Sequence, residues 1–345
     1  MTKKIGVLTG GGDCPGLNPV IRALVKKGTV QYGFNFVGLH NGWLGLLNQD
    51  TLPLNLDSIS GILPRGGTIL GTSRTNPGKS EELMQKAIDS YKALGLDALN
   101  SIGGDDTLGV GYKLFKRGPN VVGVPKTIDN DLSATDTTFG FETAVQIATD
   151  AIDRLHSTAE SHNRVMVVEV MGRHAGWIAL NAGLAGGADA ILLPEFPMPI
   201  DDVCKIVKSR ADRGRHFSIV VVAEGFSPAQ GDSFSTVSDE KDAFGHVRLG
   251  GIGEQVAKQI EKKTGFETRN TILGHIQRGG TPSAYDRVLG TKYGICAIDL
   301  VAQGKYGQMA SLQGTKVVGA SLEAAVSKPK LVTQADYDIA KVFFG

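Results

Sequence analysis

The chain's 345 residues exceed one small domain and suit two of roughly 150 residues each, with 41% apolar residues to fill their cores. Its 36 Lys and Arg stand against 35 Asp and Glu, a balance that gives no reason to invoke nucleic acid or an anionic membrane as partner. Cys14, Cys204 and Cys296 lie far apart without a CxxC pair, which argues against a disulfide framework or structural zinc and for a reducing cytoplasm. The N-terminus lacks a signal-peptide pattern, and no apolar run approaches the ~18 residues of a membrane span.

In chain order, short β-rich runs alternate with longer helical patterns. Residues 5–9 read as a buried strand, 17–31 as a helix and 34–39 as a strand. Residues 80–94 have helical spacing, with Leu83, Ala87, Tyr91 and Leu94 on one face. A strand over 98–102, a helix over 108–116, a strand over 121–124 and a long helix over 142–160 follow. The pattern then begins again, with strands at 165–170, 190–193, 219–223 and 271–273 and helices at 177–185, 201–213, 253–263 and 284–301. Such alternation predicts an α/β protein of two doubly wound domains with mainly parallel sheets, with ligands beyond the carboxyl ends of the strands. The polar stretch 227–247 reads as a flexible surface loop.

Three strand-to-helix turns carry chemistry. The first is Gly10-Gly11-Gly12-Asp13-Cys14-Pro15-Gly16. Bare backbone N–H groups at a helix start attract phosphate; a tight turn without ligand is the alternative. The spacing is neither the dinucleotide GxGxxG nor the P-loop, which weighs against a nicotinamide oxidoreductase and a Walker-type NTPase. The second is Gly103-Gly104-Asp105-Asp106-Thr107. Adjacent carboxylates suit a hard cation such as Mg²⁺, or one of them caps the helix. The third is Pro125-Lys126-Thr127-Ile128-Asp129-Asn130-Asp131. In an extended segment Asp129 and Asp131 point the same way, so one accepts a proton from a hydroxyl while the other orients it or helps hold the metal. Lys126 neutralises phosphate charge.

Together with MGRHAGW (171–177) and GHIQRGGTPSAYDR (274–287), these motifs, in this order, resemble the phosphofructokinase family through about Leu300. The resemblance implies a donor domain of 1–139 plus about 253–305, and a sugar-phosphate domain of about 140–252 plus 306–345. It implies that Asp129 deprotonates the sugar 1-hydroxyl, beside Thr127, Ile128 and Asp131, and that Asp105 binds Mg²⁺. Gly11, Gly12 and Arg74 hold the donor, and Arg173 steadies the transferring phosphoryl group. The sugar phosphate falls to Arg164, Arg269, His275, Ile276, Gln277 and Arg278, with Met171, Gly172 and Glu224 near the sugar. Forked arginines suit a dianionic phosphate, although each alone reads equally as a surface residue and His275 as a structural one. Family equivalents of Arg164 and Arg269 reach in from a neighbouring subunit, which implies a homodimer or homotetramer with shared active sites.

Asp106 and Lys126 bear on the donor. ATP-using relatives usually carry glycine after the GGD aspartate, and many carry glycine in place of the lysine. A carboxylate at 106 repels the α-phosphate of ATP by about 4 kcal/mol at ~4 Å and an effective ε of ~20. The resemblance therefore implies pyrophosphate as donor and fructose 6-phosphate as acceptor. An ATP-dependent enzyme and a non-catalytic sugar-phosphate-binding subunit are the alternatives. The second is opposed by the presence of Asp105, Asp129 and Asp131.

Overall fold

The computed structural model describes residues 2–227 and 251–345. The polar stretch expected as a surface loop lies outside the described residues except for Ser227. The chain forms two compact units: residues 1–128, 132–143 and 278–329, and residues 129–131, 144–277 and 330–345.

In chain order the elements begin with β1 (Lys4–Thr9), α1 (Leu17–Tyr32), β2 (Asn35–Leu39), α2 (Trp43–Asn48) and β3 (Thr51–Leu54). Next come α3 (Glu81–Ala93), β4 (Ala98–Gly103), α4 (Asp105–Phe115), β5 (Val121–Pro125) and α5 (Phe141–His162). Then follow β6 (Val165–Val170), α6 (Trp177–Ala185), β7 (Ala190–Leu192), α7 (Ile200–Asp212), β8 (Ser218–Ala223), α8 (Ile252–Thr264) and β9 (Thr268–Ile272). The chain ends through α9 (Ala284–Ala302), β10 (Gln308–Gln313), β11 (Lys316–Ser321), α10 (Leu322–Ala325) and α11 (Gln334–Lys341).

The first unit holds a sheet of order β11-β10-β5-β4-β1-β2-β3, parallel except at its two antiparallel edges. Its middle strands are buried from Ile5, Ala98 and Val121 onward and mainly apolar, with Asn100 and Ser101 in β4 the polar interruption, as suits a sheet covered on both faces. The order reverses between β1 and β4, where Thr9 pairs Ile102, and Gly103 in turn pairs Pro125 of β5. The three motif turns thus leave the carboxyl ends of neighbouring middle strands, the crevice where doubly wound sheets bind ligands.

The second unit holds an all-parallel sheet, β7-β8-β6-β9. Val165, Val167, Val220 and Val222 pack with Val203, Val207, Val256 and Ile260 from α7 and α8. Burying each such side chain contributes about 1.5–3 kcal/mol.

The fold class agrees with the sequence reading, but the domain limits differ. Helix α8 packs on β6 and β9 and so belongs to the second unit, whereas β10 pairs β5 and extends the first sheet. Helix α4 starts three residues before the expected position, because Asp105 and Asp106 occupy its first turn. Strand β9 starts at Thr268, where the apolar signal over 271–273 had suggested a later start.

Candidate active site

The glycine turn after β1 is built without side chains because it has no room for them. Gly11 has φ 78° and Gly16 φ 110°, both left-handed. A Cβ on Gly12 would lie 2.6 Å from Nη1 of Arg278, and one on Gly10 2.6 Å from the Thr107 hydroxyl. The turn is fastened from three directions. Thr72 Oγ1 donates to the Gly11 carbonyl at 2.6 Å, Lys126 Nζ to the Gly12 carbonyl at 2.5 Å, and Arg278 Nη1 to the Asp13 carbonyl at 3.3 Å. Lys126 is 4% exposed, so its ammonium is a buried cation against the glycine backbone. Cys14 in the same turn is a packing residue. Burial pushes its thiol up to about 12, and it donates to the Phe139 carbonyl.

Asp105 and Asp106 are the first two residues of α4, and Gly104 is its N-cap, without a side-chain capping bond. The capping alternative for these aspartates therefore fails; as first-turn residues they face the positive end of the helix dipole instead. Asp105 is exposed and Asp106 half-buried. Among the described residues no three His, Cys, Asp or Glu gather into a protein-only metal cage. Arg74 is exposed, two residues beyond Thr72.

The acidic motif does not run extended. The backbone bends at Ile128 and Asp129, and Asn130 takes a left-handed φ of 52°. The alternating-side argument for Asp129 and Asp131 thus fails, because asparagine tolerates a conformation that turns the chain. Thr127 and Ile128 are buried in the first unit, and the Thr127 carbonyl accepts from Thr138 Oγ1 at 2.7 Å. Asp129–Asp131 belong to the second unit, where Lys330 Nζ donates to Asn130 Oδ1 at 2.9 Å and Lys330 N to the Asp131 carbonyl at 2.7 Å.

At the carboxyl ends of β6, β8 and β9 the second unit gathers Met171, Gly172, Glu224 and Gln277. Met171 N donates to Gln277 Oε1 at 3.3 Å and Gly172 N to Glu224 Oε1 at 3.4 Å. Gly172 has φ 132°, and a Cβ on Gly225 would lie 1.8 Å from the Arg173 carbonyl oxygen, so the turn bearing Arg173 requires both glycines. His275 is exposed, and Ile276 is 68% exposed. Arg278 parts company with this group and lies in the first unit, on the glycine turn.

Arg164 and Arg269 lie at the opposite, amino ends of β6 and β9. Arg164 Nη2 pairs with Glu267 Oε1 at 2.8 Å, and Arg269 bonds the same oxygen. The hydrogen bond from Arg164 holds the Glu267 carboxyl below the usual range. Arg269 pairs Met166, so five strand steps of about 3.3 Å, roughly 16 Å, separate it from the level of Met171. Within one chain these arginines do not join Met171, Glu224 and Gln277.

Three contributors escaped the sequence reading. Thr72 pins the glycine turn, Lys330 fastens the acidic motif, and Asp286 orders the start of α5. The fully buried Asp286 carboxylate accepts from Gly140 N, Thr143 N and the Thr143 hydroxyl, and burial raises its pKa. Asp286 lay inside a recognised motif; the other two carried no local signal.

The family model described as Phosphofructokinase matches residues 4–301. The chain is similar to a pyrophosphate--fructose 6-phosphate 1-phosphotransferase of Streptomyces coelicolor, 58% identical over 344 residues, covering 99% of this chain and 100% of that protein. It is also similar to an ATP-dependent 6-phosphofructokinase of Mycobacterium tuberculosis, 52% identical over 343 residues, covering 99% of this chain and 100% of that one. The crystal structure of Pichia pastoris phosphofructokinase in the T-state superposes with a TM-score of 0.85 at 31% identity, covering 99% of this chain and 36% of the longer yeast chain. With its motifs at the ends of the expected strands, and with matches spanning nearly its whole length, the chain belongs to the phosphofructokinase family.

Proposed function

We propose that the protein is a pyrophosphate-dependent 6-phosphofructokinase. It transfers a phosphoryl group from pyrophosphate to the 1-hydroxyl of fructose 6-phosphate, giving fructose 1,6-bisphosphate and phosphate, and it runs in both directions. The observation that carries the donor assignment is the pairing of Asp106 in the first turn of α4 with a buried Lys126 bonded to the glycine turn. The carboxylate repels the extra phosphate of a nucleotide, and the ammonium attracts the small inorganic anion. The Streptomyces coelicolor relative, named for pyrophosphate, supports the same reading.

Donor phosphate lies against the backbone N–H groups of Gly11 and Gly12, with Lys126 and Arg74 balancing its charge. Asp105 and the donor oxygens would hold Mg²⁺, which neutralises charge on the phosphates when bound. Asp129 takes the proton of the attacking 1-hydroxyl, with Thr127, Ile128 and Asp131 fixing its surroundings. Arg173 stabilises the group in transit, and no covalent enzyme intermediate is needed. Met171, Gly172, Glu224, His275, Ile276 and Gln277 receive the sugar, and Arg278, placed against the glycine turn, serves the phosphate end. Arg164 and Arg269 serve the sugar phosphate of a neighbouring copy. Their position at the far strand ends supports a homodimer or homotetramer with shared sites. The free thiols fit a cytoplasmic enzyme. Among the described residues no helix is long and apolar enough to cross a membrane.

The 52% identical ATP-dependent relative keeps ATP as the competing donor. Purified protein assayed with each donor decides between them: turnover is expected with pyrophosphate, and ATP turnover without it overturns the assignment. Asp129→Ala should lower kcat by at least about 100-fold, the usual range for a lost general base, while calorimetry still detects fructose 6-phosphate binding. A near-normal rate removes Asp129 from its role.

A further inference from the structure

The C-terminal stretch Lys330–Val332 has no part in the motifs, yet it fastens two of them to each other within the second unit. On one side Lys330 bonds the acidic motif twice. Its Nζ donates to Asn130 Oδ1 at 2.9 Å, and its backbone N donates to the Asp131 carbonyl at 2.7 Å. These bonds flank the single left-handed residue of that motif, 5% exposed Asn130. On the other side the Lys330 carbonyl accepts from Trp177 Nε1 at 2.9 Å, and its ammonium lies 5.8 Å from the centre of the indole ring. Glu195 completes the attachment, since its Oε1 accepts from Val332 N at 3.0 Å and from Gly176 N at 2.9 Å. Gly176 and Trp177 end the same MGRHAGW turn that carries Arg173.

We propose that Lys330 is a positioning residue for phosphoryl transfer. It holds Asn130 in its turned conformation, and so fixes the backbone that carries Asp129 to the end of the turn bearing Arg173. A non-glycine residue in the left-handed region persists where its surroundings over-determine it, and such conformations cluster at functional sites. The ammonium supplies that constraint through Asn130, and the Trp177 ring adds a cation–π attraction to it. The inference rests on Asp129 being the base proposed above.

The test is a double-mutant cycle of Lys330→Met and Asn130→Gly. Methionine keeps an unbranched side chain and removes the donor, and glycine keeps the positive φ while removing the acceptor. Each single variant should lower kcat on the order of 10–100-fold, as a small misplacement of reacting groups does. KM for pyrophosphate should stay within about 2-fold, and the double variant should lose little more than either single one. Lys330→Arg, which restores a donor, should recover part of the rate. Multiplicative losses in the double variant, or an unchanged kcat in Lys330→Met, overturn the proposal. Hydrogen exchange on the unliganded protein adds a readout independent of turnover. Lys330→Met should speed exchange of the 129–131 amides by about 10-fold or more, and unchanged exchange overturns the proposal as well. Wild-type protein inactive with both donors sinks the functional reading alone, and the exchange measurement still decides the role of Lys330.

Discussion

Asp106 is half-buried in the first turn of α4, so solvent reaches part of its carboxylate. The ~4 kcal/mol repulsion toward a nucleotide phosphate is therefore an upper bound, reduced by screening. Even about 1.4 kcal/mol of it corresponds to a tenfold change in an equilibrium constant. Asp106→Gly should accordingly raise kcat/KM for ATP by roughly 10-fold or more while leaving pyrophosphate turnover measurable; steady-state kinetics with both donors checks this, and unchanged rejection of ATP refutes charge exclusion. The turns that carry Asp105, Asp106, Lys126 and Asp129 were legible in the sequence because they are short polar stretches after buried strands. Lys330 was not, because its partner Asn130 is 200 residues away and only folding brings them together. The left-handed Asn130 was equally invisible: asparagine accepts that conformation without demanding it.

At the level of elements, the turn from β6 into α6 depends on Gly225 at the end of β8. Its N–H donates to the Gly172 carbonyl at 3.1 Å, and its missing Cβ leaves space for the Arg173 carbonyl. Gly225→Ala should cost about 1–3 kcal/mol of stability, as overpacking does, and should reduce kcat by shifting Arg173. Denaturant unfolding alongside kinetics tests this; a variant with unaltered midpoint and rate contradicts it. Buried parallel strands such as β5 and β8 were read correctly because they are apolar almost throughout, and β4 and β6 because one or two polar residues interrupt otherwise apolar runs. The edge strands β3 and β11, and β10 beside β11, were missed. They carry Pro53 or polar and small residues in place of an apolar run, and β10 joins β5, far away in sequence. The same gap misplaced the domain limits, since β10 and β11 extend the first sheet.

For the whole molecule, strand polarity decides which residues one copy brings together. Arg164 and Arg269 share Glu267 at the amino ends of β6 and β9, and Met171, Glu224 and Gln277 occupy the carboxyl ends of the same sheet. If the arginines serve a neighbour, mixing inactive Asp129→Ala protein with inactive Arg164→Ala protein should restore activity. Random pairing in dimers leaves one intact site in each mixed pair. Mixed assemblies without recovered turnover, after verified subunit exchange, would show that Arg164 acts within its own chain or not at all.

The shared Glu267 carries a further consequence. Because one carboxylate oxygen accepts from both guanidinium groups, their bonds to it compete: a sugar phosphate that draws one arginine away from Glu267 leaves the carboxylate to the other. If they serve a neighbouring copy, Glu267 of one protomer sets how ready both arginines are for the ligand of the next.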